Sequence, residues 1–227
     1  GRAARGLLGR RPGGRGRAGG GAGGLLRRAR GLLGLALRRS TAHGLEHGSP
    51  KAAEDYLRES ADAEHEAAGG SPWIVLPSHE EVDIQAVTVS AMVGAYLATW
   101  GAHGETREHA MTVRIRNPIT GYKSRTHDLV CRVDAVTPDW RRIIEDKTAA
   151  SIDKRTLASR LWLDRQVTIE MYCIWRTTGV MPEEASYRIV RKPGIKRRTV
   201  RQPETHDDYL ARIVELYETK RDEYVHE

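Results

Sequence analysis

Three residues have the types and spacing for chemistry on a phosphodiester. Asp134 stands in Val133-Asp134-Ala135-Val136, and after ten intervening residues comes Glu145-Asp146-Lys147. Side chains alternate along a strand, so Glu145 and Lys147 share one face and Asp146 points to the other. If Pro138-Asp139 centres an even-length turn, Thr137 faces Trp140 or Val136 faces Arg141, and in either case Asp134 lies opposite Ile143. That register predicts Asp134 on the face of Glu145 and Lys147, diagonally across the pair, about 7–8 Å away between backbones. An odd-length turn turns Asp134 away. Two carboxylates at that separation can hold one cation, and an ammonium beside them suits Mg²⁺ and phosphate oxygens. A metal-bound water of lowered pKa, oriented by Lys147, can then attack in line.

The elements that must position these residues are legible from patterning. Ser49-Pro50 reads as an N-cap followed by proline at the first helical position, opening a helix to about residue 67 that Gly69-Gly70-Ser71-Pro72 ends. Ser78 with Glu81 makes a capping box for a helix over about 79–100. Met111, Val113 and Ile115 alternate with Thr112, Arg114 and Arg116 as a half-buried strand, and Asn117 through Gly121 is a turn. Further strands are expected over about 127–136 and 141–147 and around Tyr187, Ile189 and Arg191, with a long helix over 156–177 and a last one over 206–224. Trp162 and Trp175 on the long helix are expected in the core, and Trp140 is a candidate for base stacking. Helices, a meander, then helix–strand–helix is an α/β or α+β order without internal repeats.

Composition bounds the rest. The 227 residues carry 37 Lys+Arg against 30 Asp+Glu, but eleven arginines fall in residues 1–40, which contain no acid. The remaining chain has 26 basic and 30 acidic residues, so the basic pI belongs to the leading segment and global charge does not argue for nucleic-acid binding. That segment also holds 13 of the 23 glycines. Residues 1–39 read as low-complexity, with 1–24 disordered because so few residue types cannot specify a core. Loose RNA binding by its Gly-Arg repeats, a transit-peptide role for Leu25–Arg39, and a solvated or mis-assigned leader all stay open. Residues 40–227 suffice for one domain with a single core, and the C-terminus has the look of a truncation. The run Val82–Trp100 is interrupted by Asp83, Gln85, Thr88 and Ser90, so no transmembrane helix is expected. Cys131 and Cys173, the only cysteines, fit a reducing compartment and are too few for a four-cysteine iron–sulfur cluster.

With these residues in place, the chain resembles the PD-(D/E)XK nuclease superfamily, particularly its RecB-like phage and prophage exonucleases. The matching text is Thr41-Ala42-His43-Gly44-Leu45-Glu46, Asn117-Pro118-Ile119-Thr120-Gly121 with Ser124, Val133-Asp134, Glu145-Asp146-Lys147-Thr148, Leu163-Asp164-Arg165-Gln166 and Val190-Arg191-Lys192-Pro193. The resemblance implies a restriction-endonuclease-like α/β core, a mixed central sheet of about four strands flanked by helices. It implies that Asp134 and Glu145 bind Mg²⁺ or Mn²⁺ with the backbone carbonyl of Asp146, and that Lys147 is the catalytic lysine. His43 matches an additional metal ligand and Gln166 the glutamine of the following helix; Glu46 and Glu108 are weaker candidates. The pattern departs at Cys131, where the family commonly has Gly, and at Glu170, where it commonly has an aromatic. The implied activity is hydrolysis of DNA phosphodiesters in recombination or end processing, in the cytoplasm of a bacterial host, beside a single-strand annealing protein. The alternative is an inactive module of the same fold retained for nucleic-acid or protein contact. Residues 188–201 hold seven Lys/Arg and no acid, and Arg191, Lys192, Lys196, Arg197 and Arg198 are the expected DNA contacts.

Overall fold

In the computed structural model the described residues are 37, 39–69, 76–101, 105–117, 119–153, 155–156, 159, 164–199 and 202–227. The leading stretch to residue 36, Trp162 and Arg201 lie outside them. Residues 39–46 are helical. Helix α1 (Pro50–Ala68) follows with Ser49 Oγ accepting from Ala52 N, and Gly69 ends it at a φ of 55°. Helix α2 (His79–Trp100) opens on the reciprocal Ser78–Glu81 capping box. By length and mean hydropathy α2 is apolar enough to cross a membrane, against the expectation from its polar interruptions. Asp83 and Gln85 sit near its start and leave the later turns apolar. Half of that window is buried within the fold.

Strands β1 (Thr106–Arg116), β2 (Lys123–Val136) and β3 (Arg142–Ala149) form an antiparallel meander. Helix α3 (Arg165–Thr178) then crosses over to β4 (Glu184–Arg191), which runs parallel to β3. Helix α4 (His206–Thr219) and the short α5 (Arg221–Tyr224) lead to β5 (Val225–His226), antiparallel to β4. The result is a five-stranded mixed sheet in the order β1-β2-β3-β4-β5, flanked by helices.

Two expected helices are shorter than patterning suggested. Asp164 has an extended backbone and its side chain accepts from Gln166 N, so α3 starts afresh at Arg165 rather than continuing from 156. The last helix breaks at Lys220, φ −124°, and the chain returns as a fifth strand where four were expected.

The apolar residues gather in separate clusters. One joins Leu57 of α1, Val89 and Val93 of α2, Tyr209 and Ile213 of α4, and Val190 and Val225 of the sheet. Another packs Cys173 and Ile174 of α3 against Met111, Val113, Val133, Val136 and Ile143. A third, Val167 with Tyr187 and Ile189, seats the first turns of α3 on β4. The sheet is therefore held between helices, and β3 and β4 in its middle carry polar side chains toward both sides. Trp175, expected in the core, is 44 % exposed on the outer side of α3.

Candidate active site

The β2–β3 turn sets the site. Thr137 N donates to Arg142 O (3.1 Å) and Trp140 N to Thr137 O (2.9 Å), while Asp139 Oδ1 accepts from Thr137 Oγ1 (2.6 Å) and Arg141 N (3.1 Å). Trp140 takes a φ of 62°, and its ring packs edge-on to His109 at 5.2 Å between centroids. The loop is thus Pro138–Arg141, even in length but centred one residue later than Pro138-Asp139. Val136 pairs with Ile143 and Ala135 with Ile144. Continuing that register puts Asp134 opposite Glu145, not opposite Ile143, so the two acids are direct rather than diagonal neighbours. The parity is unchanged, because moving the centre of an even loop by one residue shifts the pairing by two.

Glu145 is 1 % exposed. Its Oε1 accepts from Lys147 Nζ at 2.8 Å and from Gln166 Nε2 of α3, and its Oε2 has no hydrogen-bond partner among the described residues. The Asp134 carboxylate lies within hydrogen-bonding reach of Glu145, and Asp134 Oδ2 accepts from Asp146 N at 3.1 Å. Burial first, and then the Asp134 carboxylate, lift the Glu145 carboxyl to about 9, against the pull of Lys147. Gln166 Nε2 also donates to Glu170 Oε1 at 2.9 Å. Glu170 is 1 % exposed, its Oε2 lacks a partner among the described residues, and burial raises its carboxyl to about 7. By sequence Glu170 stands out only as a departure from a pattern. The signal that could have placed it here is its spacing of four from Gln166, which puts both on one helical face.

Lys147 is half-exposed and reaches a cavity of about 730 Å³ lined also by Ser151, Ile152, Ser159, Asp164, Arg165 and Tyr187. Asp134 and Glu145 do not line it, and Lys147 is the residue of the three that does. The Tyr187 hydroxyl donates to Asp164 Oδ2, and the Lys147 ammonium stands 5.5 Å from the Tyr187 ring centroid. Tyr187 pairs with Glu145 across β3 and β4.

Asp146 points the other way, as alternation requires. Its Oδ2 accepts from Arg107 Nη1 at 2.7 Å, and Arg107 Nη2 donates to Tyr96 Oη and Glu105 Oε2, each at 2.8 Å. Arg188 Nη1 donates to Glu105 Oε1 (2.7 Å) and Tyr96 Oη (3.0 Å). Burial raises the Asp146 carboxyl and Arg107 pulls it back. The Asp146 side chain is thereby committed through Oδ2 to a network between the sheet and α2, its Oδ1 has no partner among the described residues, and only its backbone faces the Asp134–Glu145 site.

His43 is placed with other partners. His43, Glu46 and His47 bring their ligand atoms within 4.8 Å of one another, and the His43 ring stacks on Tyr56 at 4.7 Å. Glu108 sits between Arg107 and His109, whose partners Ala135 and Val133 flank Asp134. Its backbone has a φ of 50° and its carboxylate pairs with Arg132 Nε at 2.9 Å. Burial raises the Glu108 carboxyl, Arg132 opposes, and the charges of Asp134 and Glu46 add to the rise. His43 itself is grouped with Glu46, His47 and Tyr56 rather than with Asp134 and Glu145.

The comparisons with known proteins add no relative: no protein-family model and no curated protein matches the chain.

The basic segment divides. Arg188 is buried in the network above, Arg191 Nε donates to Ala150 O, and Arg197 is tied to Glu204 O and paired with Glu80. Lys192, Lys196 and Arg198 are exposed. The loop leaves β4 beside the end of β3, where Lys192 N donates to Ala149 O at 2.7 Å. Its exposed cations thus start three residues beyond Ile189, the partner of Lys147 on the adjoining strand.

Proposed function

We propose that this chain is a metal-dependent nuclease of the PD-(D/E)XK type, hydrolysing DNA phosphodiesters as a RecB-like exonuclease. The observation that carries the reading is an Asp134 carboxylate within hydrogen-bonding reach of a fully buried Glu145 whose Oε2 lacks a donor among the described residues, with Lys147 Nζ 2.8 Å from the other oxygen. Buried carboxylates left without enough donors are costly unless a cation shares them. The donor set, all oxygen, fits Mg²⁺ or Mn²⁺. Asp134 and Glu145 would hold the ion with the Asp146 backbone carbonyl. When bound, it supplies a water of lowered pKa and neutralises charge on the phosphoryl oxygens.

The chain's own residues then do the positioning. Asp134 is fixed by the Asp146 amide, and Glu145 by Lys147 and Gln166. Lys147, the partner that reaches the open cavity, orients the attacking water and offsets the developing negative charge. Lys192, Lys196 and Arg198 attract the backbone of the strand.

The test is digestion of end-labelled linear and of circular duplex DNA with Mg²⁺ or with chelator. Release of label from the linear substrate only, and only with the metal, is expected. If neither substrate is cut with Mg²⁺ or Mn²⁺ while DNA is retained on the protein, the chain is a binding module of this architecture instead.

A further inference from the structure

Glu170 lies on the part of α3 that faces the paired acids. It is 1 % exposed, and burying a glutamate that deeply is rare unless something shares its charge. Gln166 supplies one donor, Nε2, and that nitrogen is divided between Glu145 Oε1 and Glu170 Oε1. Two carboxylate oxygens on one nitrogen are close neighbours. The second oxygen of each, Glu145 Oε2 and Glu170 Oε2, is buried without a hydrogen-bond partner among the described residues. Lys147 is bonded to Glu145. Asp134, Glu145 and Glu170 therefore set three carboxyl groups around one ammonium, a surplus of two negative charges whenever all three are ionised, as a bound cation would require.

We propose that Glu170 is a metal ligand, and that Glu145 and Glu170 together hold a second divalent cation beside the one shared by Asp134 and Glu145. This rests on the reading of the Asp134–Glu145 site as a metal centre. Glu145 would be shared by the two ions, and a pair of ions so held could stabilise both the attacking and the leaving oxygen of a phosphoryl transfer. Gln166 orients both carboxylates from outside, in the manner of a hydrogen-bond donor behind a ligand.

The alternative is that Glu170 only positions Gln166. Glu170→Gln separates the two, since the amide oxygen can still accept from Gln166 while the charge is lost. The whole chain is titrated with Mn²⁺ by calorimetry and by the loss of free-ion paramagnetic resonance signal, and cleavage is followed in parallel. Two Mn²⁺ are expected in the wild type and one in Glu170→Gln, with the second equivalent weakened beyond the roughly 10–100-fold that loss of a supporting hydrogen bond costs. Glu170→Asp, which keeps the charge on a shorter arm, should retain two ions with the second bound more weakly. One ion in the wild type, or two unchanged in Glu170→Gln, overturns the proposal even if DNA is cut; two ions on a protein that cuts nothing leave it standing and remove the nuclease reading. No bound Mn²⁺ removes both.

Discussion

The two faces of β3 hold acids against different numbers of cations, although each leaves a carboxylate oxygen without a partner among the described residues. On the α2 face, Asp146 is met by Arg107, and Glu105 by Arg107 and Arg188, with the Tyr96 hydroxyl accepting from both arginines. On the α3 face, Glu145 and Glu170 share one glutamine amide, Glu145 alone meets a lysine, and Asp134 accepts from the Asp146 amide. The sequence offers both faces the same Glu-Asp-Lys triplet, and the difference comes from the partners that β1, β4 and α2 bring. Acids matched by guanidinium groups stabilise packing of sheet on helix. On the function proposed above, acids left in surplus are where a cation would bind.

That contrast predicts opposite responses to charge removal. The largest effect is expected for Glu145→Gln, which should lower Mg²⁺-dependent cleavage at least about 10³-fold while the metal-free unfolding midpoint above pH 9 stays level or rises, because the charge that Glu145 carries there is poorly compensated and the amide removes it. Full cleavage with an unchanged midpoint would reject Glu145 as a ligand.

Next, Arg107→Met on the opposite face should cost about 3–5 kcal/mol in denaturant unfolding, since it strands the buried Asp146 carboxylate. Cleavage per folded molecule should be unchanged. A destabilisation below about 1 kcal/mol would show that the α2-face network is not the structural half of the pair.

The pH dependence is intermediate in size. Glu145 and Glu170 have carboxyls raised to about 9 and about 7 from an ordinary 4.5, so the folded chain binds more protons than the unfolded chain between those limits. The cluster's contribution is fully present below about 4.5 and is lost as pH rises toward 9. Without metal, the melting temperature should fall by at least about 5 °C between pH 6 and 9, and about 10 mM Mg²⁺ should recover more of it at pH 9 than at pH 6. A metal-free midpoint that climbs over this range contradicts the surplus of acids.

The smallest effect is expected at the surface. Replacing Lys192, Lys196 and Arg198 by Gln should leave turnover at saturating DNA nearly unchanged and flatten the salt dependence of binding by about 0.9 in log–log slope for each phosphate no longer neutralised. Replacing Arg197 should act mainly on stability, because its guanidinium is held by Glu204 O.

How much was legible differs along the chain. Ser49-Pro50, the Ser78–Glu81 box and the strand at Met111–Ile115 are local signals, and each stands where patterning put it because caps and pleats are decided within a few residues, although the inward alternation stops at Val113 and leaves Ile115 exposed. The break at Asp164 was hidden by an unbroken helical pattern on both sides, although an aspartate two residues before Gln166 is itself a capping signal.

What the sequence determined by itself is the alternation that sets Glu145 and Lys147 on one side of β3 and Asp146 on the other, since period two is a property of any extended chain. Whether Asp134 joins them hung on the parity of the β2–β3 loop, which the sequence left conditional. Only the tertiary structure decided that the loop is even and centred between Asp139 and Trp140, with Trp140 at positive φ packing against His109, which makes the acids direct neighbours. It alone brought Glu170 into the cluster and enclosed Arg188 in the α2-face network, because burial and charge compensation depend on which elements meet, and those contacts join residues as far apart as Tyr96 and Arg188.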